Sequence, residues 1–263
     1  MSYVTSHGTD IYYEAHGEGK RTLLFAHGMG GNAAIWFNQL AHFSLHYRVI
    51  IYDCRHFARS RCSEAEYNPA WFPDDALAIL DAESADSAVF ICQSMGGWTG
   101  SQVAIHHPDR IDGLLMSHTP GVFVHDTAVN DSRAVADLVS RQAAGAFATP
   151  ALAVDYPEKN PAGAALYNQI SSFNGIDPAI VPRKIGEAGL AVNTDSLAGY
   201  KVPTLFITAD KDVLFPAAYI KALADSLPGA GCVNLGDAGH SSYFEIPNAF
   251  NKALEAFLVT LDA

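Results

Sequence analysis

The chain alternates between short, near-continuous apolar runs and longer stretches with amphipathic spacing. Thr22 to Ala26, Tyr47 to Tyr52, Ala88 to Ile91, Ile111 to Met116, Val202 to Thr208 and Gly231 to Leu235 read as strands. Runs with little polar alternation are buried on both faces, as in a parallel sheet covered by helices on either side. Between them, Ala33 to Phe43, Phe72 to Glu83 and Trp98 to His107 carry helical patterns, and a helix from Pro247 to Leu261 closes the chain. Residues 3–6 and 10–15, with a turn at Gly8-Thr9, predict an N-terminal hairpin. The pattern as a whole predicts an α/β fold with a mainly parallel, doubly wound sheet.

The rhythm breaks between residues 121 and 200, where no convincing buried strand is found. Asp131 to Phe147 predicts a helix with Asp131 or Ser132 as N-cap. Pro150, Pro157, Pro161, Pro178 and Pro182 cut the remainder into short pieces, and the sheet pattern resumes at Val202. The expected organisation is a core of residues 1–120 and 201–263, with 121–200 as a mostly helical lid. Such a lid would cover the carboxyl ends of the strands, where open α/β sheets bind ligands.

Composition narrows the partners. Of the 263 residues, 49% are hydrophobic and only 17% charged, enough apolar material for a sizeable core and too little charge for disorder. The net charge of −12 makes nucleic acid and anionic membranes poor partners for the surface. The opening residues Met1 to His7 lack the basic-then-apolar pattern of a signal peptide. No apolar run reaches the roughly 18 residues of a membrane span. Cys54, Cys62, Cys92 and Cys232 are scattered with no CxxC pair, so reduced thiols in a cytoplasmic protein are expected rather than a disulfide framework or zinc knuckle. No metal or organic cofactor is expected, and oligomeric state stays open, a homodimer included.

The candidate chemistry centres on Cys92-Gln93-Ser94-Met95-Gly96-Gly97. A strand, a tight turn carrying serine and a helix are the parts of a nucleophile elbow, which lifts a hydroxyl above the sheet. A serine hydroxyl needs a base, and His240, in the Gly-rich loop after the last strand, is the candidate. An imidazole base needs a carboxylate to hold its tautomer. Asp212, after the penultimate strand, is preferred over Asp210, which suits a turn cap, and Asp237, three residues before His240. A tetrahedral intermediate needs N–H donors, assigned to the backbone of Met95 and of Met29 in His27-Gly28-Met29-Gly30-Gly31. His27, Trp36, His118, Phe123 and Tyr243 are candidate pocket residues; a satisfied structural histidine is an equal alternative for His118, and spacing alone does not separate pocket wall from core for Trp36, Phe123 and Tyr243.

With these residues in place the chain resembles the α/β-hydrolases, specifically their lid-bearing esterase, lactonase and peroxidase group. The resemblance runs from about Tyr3 to Leu261 and is carried by His27-Gly28-Met29-Gly30, Asp53-Cys54-Arg55 through Arg59-Ser60, Gln93-Ser94-Met95-Gly96-Gly97, His107-Pro108-Asp109-Arg110, Asp212 and Gly239-His240. The order Ser94, Asp212, His240 is the one this arrangement uses. Two departures stand out. Relatives place glycines where this chain has His56 and Ala58, and many have glycine at Cys92, where a locally adjusted strand is expected.

The resemblance implies a serine hydrolase for a small carboxylic ester or lactone. Carbon–carbon bond hydrolysis, enol-lactone opening and perhydrolysis use the same machinery, and a small-molecule binding or signalling module with a slow triad is the alternative of another class. Turnover on an ester panel separates the last from the others. The acyl group, alcohol group and stereopreference are not read from the sequence.

Overall fold

A computed structural model describes residues 1–128, 148–175, 177 and 179–262. The helix expected over 131–147 and the proline at 178 lie outside the described residues. Eight strands form one sheet: β1 (Ser2–Ser6), β2 (Thr9–His16), β3 (Thr22–Ala26), β4 (Arg48–Tyr52), β5 (Ala88–Gln93), β6 (Ile111–Ser117), β9 (Thr204–Thr208) and β10 (Gly231–Asn234). Their order is β1-β2-β4-β3-β5-β6-β9-β10. The hairpin β1–β2 and the β2–β4 pair are antiparallel, and every pair from β4 to β10 is parallel. The hairpin turns at His7 and Gly8, both with positive φ, one residue earlier than the sequence suggests.

The apolar runs are buried on both sides, as their lack of alternation requires. Leu24, Ile50, Phe90 and Leu114 face one layer, built from α2 (Phe72–Ala82), α3 (Gly97–His106) and α7 (Ala217–Ser226). Leu23, Phe25, Val49, Ile91 and Leu115 face the other, built from α1 (Phe37–Phe43) and α9 (Pro247–Thr260). Each such fully buried Leu, Ile or Phe contributes about 1.5 to 3 kcal/mol.

The chain between β6 and β9 holds α4 (Tyr156–Lys159), α5 (Pro161–Ser172) and α6 (Ile180–Ala188). Pro157 and Pro161 sit in the first turns of α4 and α5, where a missing N–H costs nothing. This segment also contains strands the sequence reading did not find. β7 (Phe123–Val124) pairs in parallel with β8 (Val192–Asn193), and Phe123 is buried. A two-residue ladder is too short to leave a period-2 signal. Among the described residues no helix is long and apolar enough to cross a membrane.

Candidate active site

Ser94 stands at the carboxyl end of β5, the third strand in from β10, and begins the 3-10 turn Ser94–Gly96 that runs into α3. Its φ is +48°, a left-handed conformation that costs a non-glycine residue on the order of 1 kcal/mol or more. That strain turns the chain sharply enough to lift the hydroxyl off the sheet. Gly28 makes room beside it: a Cβ there would overlap Gln93 Oε1 and crowd Ser94 Cβ. The early loop can therefore press against the elbow.

The expected adjustment of β5 at Cys92 is absent. Cys92 is paired in register with Ala26 and Met116, and the only irregularity of the ladder lies at Ala88/Val89. Accommodation comes from Gly100 in α3, where a Cβ would overlap Cys92 Sγ. The glycine lost from the strand is matched by one on the helix that packs over it. The other departure resolves in the opposite way. His56 has φ +77° and Ala58 φ +38°, so the loop keeps a glycine-like backbone without the glycines. Asp53 holds the loop from beneath, accepting from Arg59 N at 3.0 Å and Arg59 Nε at 2.7 Å, while Oδ1 accepts from Ala33 N at 2.7 Å.

His240 lies in the loop after β10 and is buried. Its Nδ1 is 3.0 Å from Asp212 Oδ2 and 3.2 Å from Oδ1. A carboxylate only accepts, so Nδ1 carries the proton and Nε2 keeps a free lone pair. Nε2 is buried and has no hydrogen-bond partner among the described residues. Gln93 Nε2 donates to the His240 carbonyl at 3.1 Å, tying the elbow strand to this loop. Asp212 follows β9, and its Oδ1 also accepts from Leu214 N at 2.9 Å and Phe215 N at 3.0 Å. Burial works to raise its proton affinity, but the adjacent His240 and His118 outweigh that and hold the carboxyl well below the usual carboxylate range. The other two carboxylates are engaged elsewhere. Asp210 accepts from Asn234 Nδ2 at 2.7 Å, and Asp237 pairs with Lys159 at 2.9 Å and with Lys211.

Ser94, His240 and Met29 line one cavity of about 340 Å³. Its far wall comes from the inserted segment, through Thr149, Pro150, Tyr167 and Asn174. Among the described residues no Asp, Glu, Lys or Arg lines it. A larger open groove of about 750 Å³ lies at the amino ends of β3 to β6, the end of the sheet away from Ser94.

None of the five candidate pocket residues lines this cavity. Trp36 and Tyr243 are buried ring against ring, with centroids 4.5 Å apart, and Phe123 packs edge-on to Tyr200 at 5.9 Å. Aromatic residues near strand ends serve core and wall alike, and here the core takes them. His27 clamps the early loop. Its Nε2 accepts from Cys54 N at 2.9 Å, so Nδ1 donates to the Gly28 carbonyl at 2.7 Å. Burial pushes its pKa down to about 4, against the pull of that Gly28 bond, so the ring is neutral. His118 is fully buried, with Nδ1 2.8 Å from Asp212 Oδ2.

Sequence reading missed Gln93, Ser242 and Glu245, whose partners lie on other elements. Glu245 belongs to α8 (Ser242–Glu245) and accepts from Gly239 N at 3.1 Å and Ala153 N at 3.2 Å. Among the described residues, His118, Asp212 and His240 have the donor types and spacing of a metal site, with ligand atoms within 4.8 Å of one another. Their Nδ1 and carboxylate atoms are already matched to each other as hydrogen-bond partners.

A family profile described as the alpha/beta hydrolase fold matches residues 21–247. A Caulobacter sp. (strain K31) protein provisionally named carbamate hydrolase RutD is 28% identical over 261 residues, spanning 94% of this chain and 95% of its own. The solved enol-lactonase from Burkholderia xenovorans LB400 superposes with a TM-score of 0.79 at 27% identity, covering 98% of this chain and 100% of that one. Est816, described as an N-acyl homoserine lactone degrading enzyme, gives 0.78 at 27% identity over 97% and 100%.

Proposed function

Because this chain belongs to the α/β-hydrolase fold family, we propose that it is a serine hydrolase acting on a small, uncharged carboxylic ester or lactone. The observation that carries the reading is the left-handed Ser94 sharing one cavity with a His240 that is held by Asp212 and whose Nε2 has no partner among the described residues. Relatives described as an enol-lactonase and as an N-acyl homoserine lactone degrading enzyme support the substrate class.

In this reading His240 Nε2 takes the proton as Ser94 Oγ attacks the carbonyl. The Met29 and Met95 N–H groups receive the oxyanion, and losing one such donor costs roughly 100- to 1,000-fold in turnover. His240, now an imidazolium stabilised by Asp212, returns the proton to the leaving alkoxide. Water then repeats the sequence on the acyl-enzyme. The inserted segment acts as a lid, since it supplies one wall of the cavity. Four unpaired cysteines suit a reducing, cytoplasmic setting.

The test is fluorophosphonate labelling followed by turnover of p-nitrophenyl acetate and butyrate. Label is expected on Ser94, and Ser94→Ala is expected to lose about 10⁴-fold or more in kcat. Undiminished turnover in the variant, or label on another residue, sinks the assignment. Aryl carbamates belong in the same panel, because one relative carries a carbamate-hydrolase name.

A further inference from the structure

We propose that His118 is a positioning residue of the reaction, a second histidine that shares the triad carboxylate and tempers the base. The proposal rests on the triad reading above and adds a group to it. His118 lies one residue past β6, fully buried, with its backbone turned to φ +54°. A histidine in that conformation is uncommon, and here it sends the ring across to the loop after β9.

Its two nitrogens have fixed roles. Nδ1 is 2.8 Å from Asp212 Oδ2 and Nε2 is 2.8 Å from Ser242 Oγ. The carboxylate accepts only, so Nδ1 carries the proton and Nε2 accepts from the Ser242 hydroxyl. Burial holds the ring neutral against the attraction of Asp212. Asp212 Oδ2 therefore receives two imidazole N–H groups, and the His118 bond at 2.8 Å is shorter than the His240 bond at 3.0 Å. Oδ1 receives the amides of Leu214 and Phe215.

Two consequences follow for the chemistry. The carboxylate is gripped on both oxygens and cannot rotate, which keeps His240 Nε2 aimed into the cavity. Its charge is also divided. The imidazolium that forms on His240 meets a carboxylate already partly neutralised by His118, so it surrenders its proton more readily to the leaving group. Removing the His118 donor leaves Oδ2 wholly to His240, stabilises the imidazolium, and confines the free base to higher pH. Among the described residues, the titratable groups acting on Asp212 are His118 and His240; the Glu245 carboxyl, which accepts from Gly239 N, also feels the charge of His240, and Lys211 turns outward to Asp155 and Asp237. Those outer groups are common to every variant below, so differences between variants report on His118.

The experiment compares wild type, His118→Phe and His118→Asn for kcat/KM against pH on p-nitrophenyl butyrate. Phe fills the volume without a donor; Asn keeps one that reaches toward Asp212. The Phe variant is expected to move the acid limb upward by about half to one pH unit and to lower kcat about tenfold with KM nearly unchanged. Asn is expected to restore the limb to near the wild-type position. An unmoved limb in the Phe variant, or the same shift in both variants, overturns the proposal and leaves His118 a structural residue. A wild-type measurement needs neither turnover nor a folded Phe variant. Nitrogen-15 spectra of the histidines, taken in Ser94→Ala as well, are expected to show His118 protonated on Nδ1 only at neutral pH. A His118 protonated on Nε2, or on both nitrogens near neutrality, overturns it. Failure of Ser94→Ala to lose turnover would instead sink the nucleophile assignment, with the tautomer still readable.

Discussion

Cys92 and Gly100 form a complementary pair across the interface between β5 and α3. A methyl group at Gly100 would overlap both Cys92 Sγ and Leu114 Cδ1, while Cys92 Cβ would stay at an ordinary 3.6 Å. Gly100→Ala should therefore destabilise the protein by about 1 to 3 kcal/mol, the usual cost of overpacking a closed interior. Cys92→Ala in the same chain removes the sulfur and should recover part of that loss, leaving the Leu114 contact. Urea denaturation of both single variants and the double variant checks this, and strict additivity would show that the two sites do not share space. The pair also marks what was legible residue by residue. Ser94, Asp212 and His240 could be nominated because each sits at a strand end in a recognisable local pattern. The compensation at Gly100 carried no such pattern, since an isolated glycine in a helix reads only as a mild helix breaker. His118 was singled out from its place after a strand as a pocket residue, which it is not; its partner is 94 positions away in the chain, and no local spacing reports that distance.

At the scale of elements, Glu245 joins three pieces of the fold around His240. Its carboxyl accepts from Gly239 N, next to His240, and from Ala153 N in the inserted segment, while belonging itself to α8. A second link runs outside it, where Lys211 reaches Asp155 at 2.6 Å and Lys159 reaches Asp237 at 2.9 Å. Burial raises the Glu245 pKa to about 7, against the backbone N–H groups that work to lower it. A carboxyl whose folded-state value lies above its unfolded value of 4.5 favours the folded state while protonated. Stability from this group is thus complete below about pH 4.5 and lost as pH rises through about 7. Glu245→Gln cannot ionise and should flatten that decline, gaining about 1 to 2 kcal/mol over wild type at pH 8 relative to pH 5. Chemical denaturation at the two pH values measures it, and an equal slope in both proteins would remove Glu245 as its source. The main strands and most helices that carry these loops were readable within a residue or two from apolar runs and helical spacing; α1 begins only at Phe37, after a 3-10 turn over Ala33–Trp36 that the helical pattern had included. The β7–β8 ladder and the wall around Tyr167 were not, because they are defined by contacts between short pieces rather than by any period.

The whole molecule sets the charge against which a substrate arrives. The net charge is −12, and the described wall of the cavity offers no Lys or Arg to offset it. A substrate carboxylate would approach through a negative field and then lose its hydration in a cavity lined by Met29, Pro150, Ala151 and Leu214 without gaining an ion-pair partner among the described residues. Desolvating an unpaired charge costs several kcal/mol, whereas a neutral acyl group of the same size leaves water at a gain. Paired esters differing only at the chain end, p-nitrophenyl valerate and the p-nitrophenyl monoester of succinic acid, separate these cases. The neutral ester should exceed the anionic one in kcat/KM by at least about tenfold at low salt, from desolvation and repulsion together. Salt screens only the repulsion, because the Debye length falls from about 30 Å at 0.01 M to about 10 Å at 0.1 M. Raising ionic strength across that range should therefore narrow the gap about two- to threefold without closing it, and leave the neutral ester unchanged. A gap that closes entirely with salt would assign the discrimination to the surface field alone. Preference for the anionic ester would place a cation at the cavity and redirect the substrate reading toward acidic lactones and monoesters.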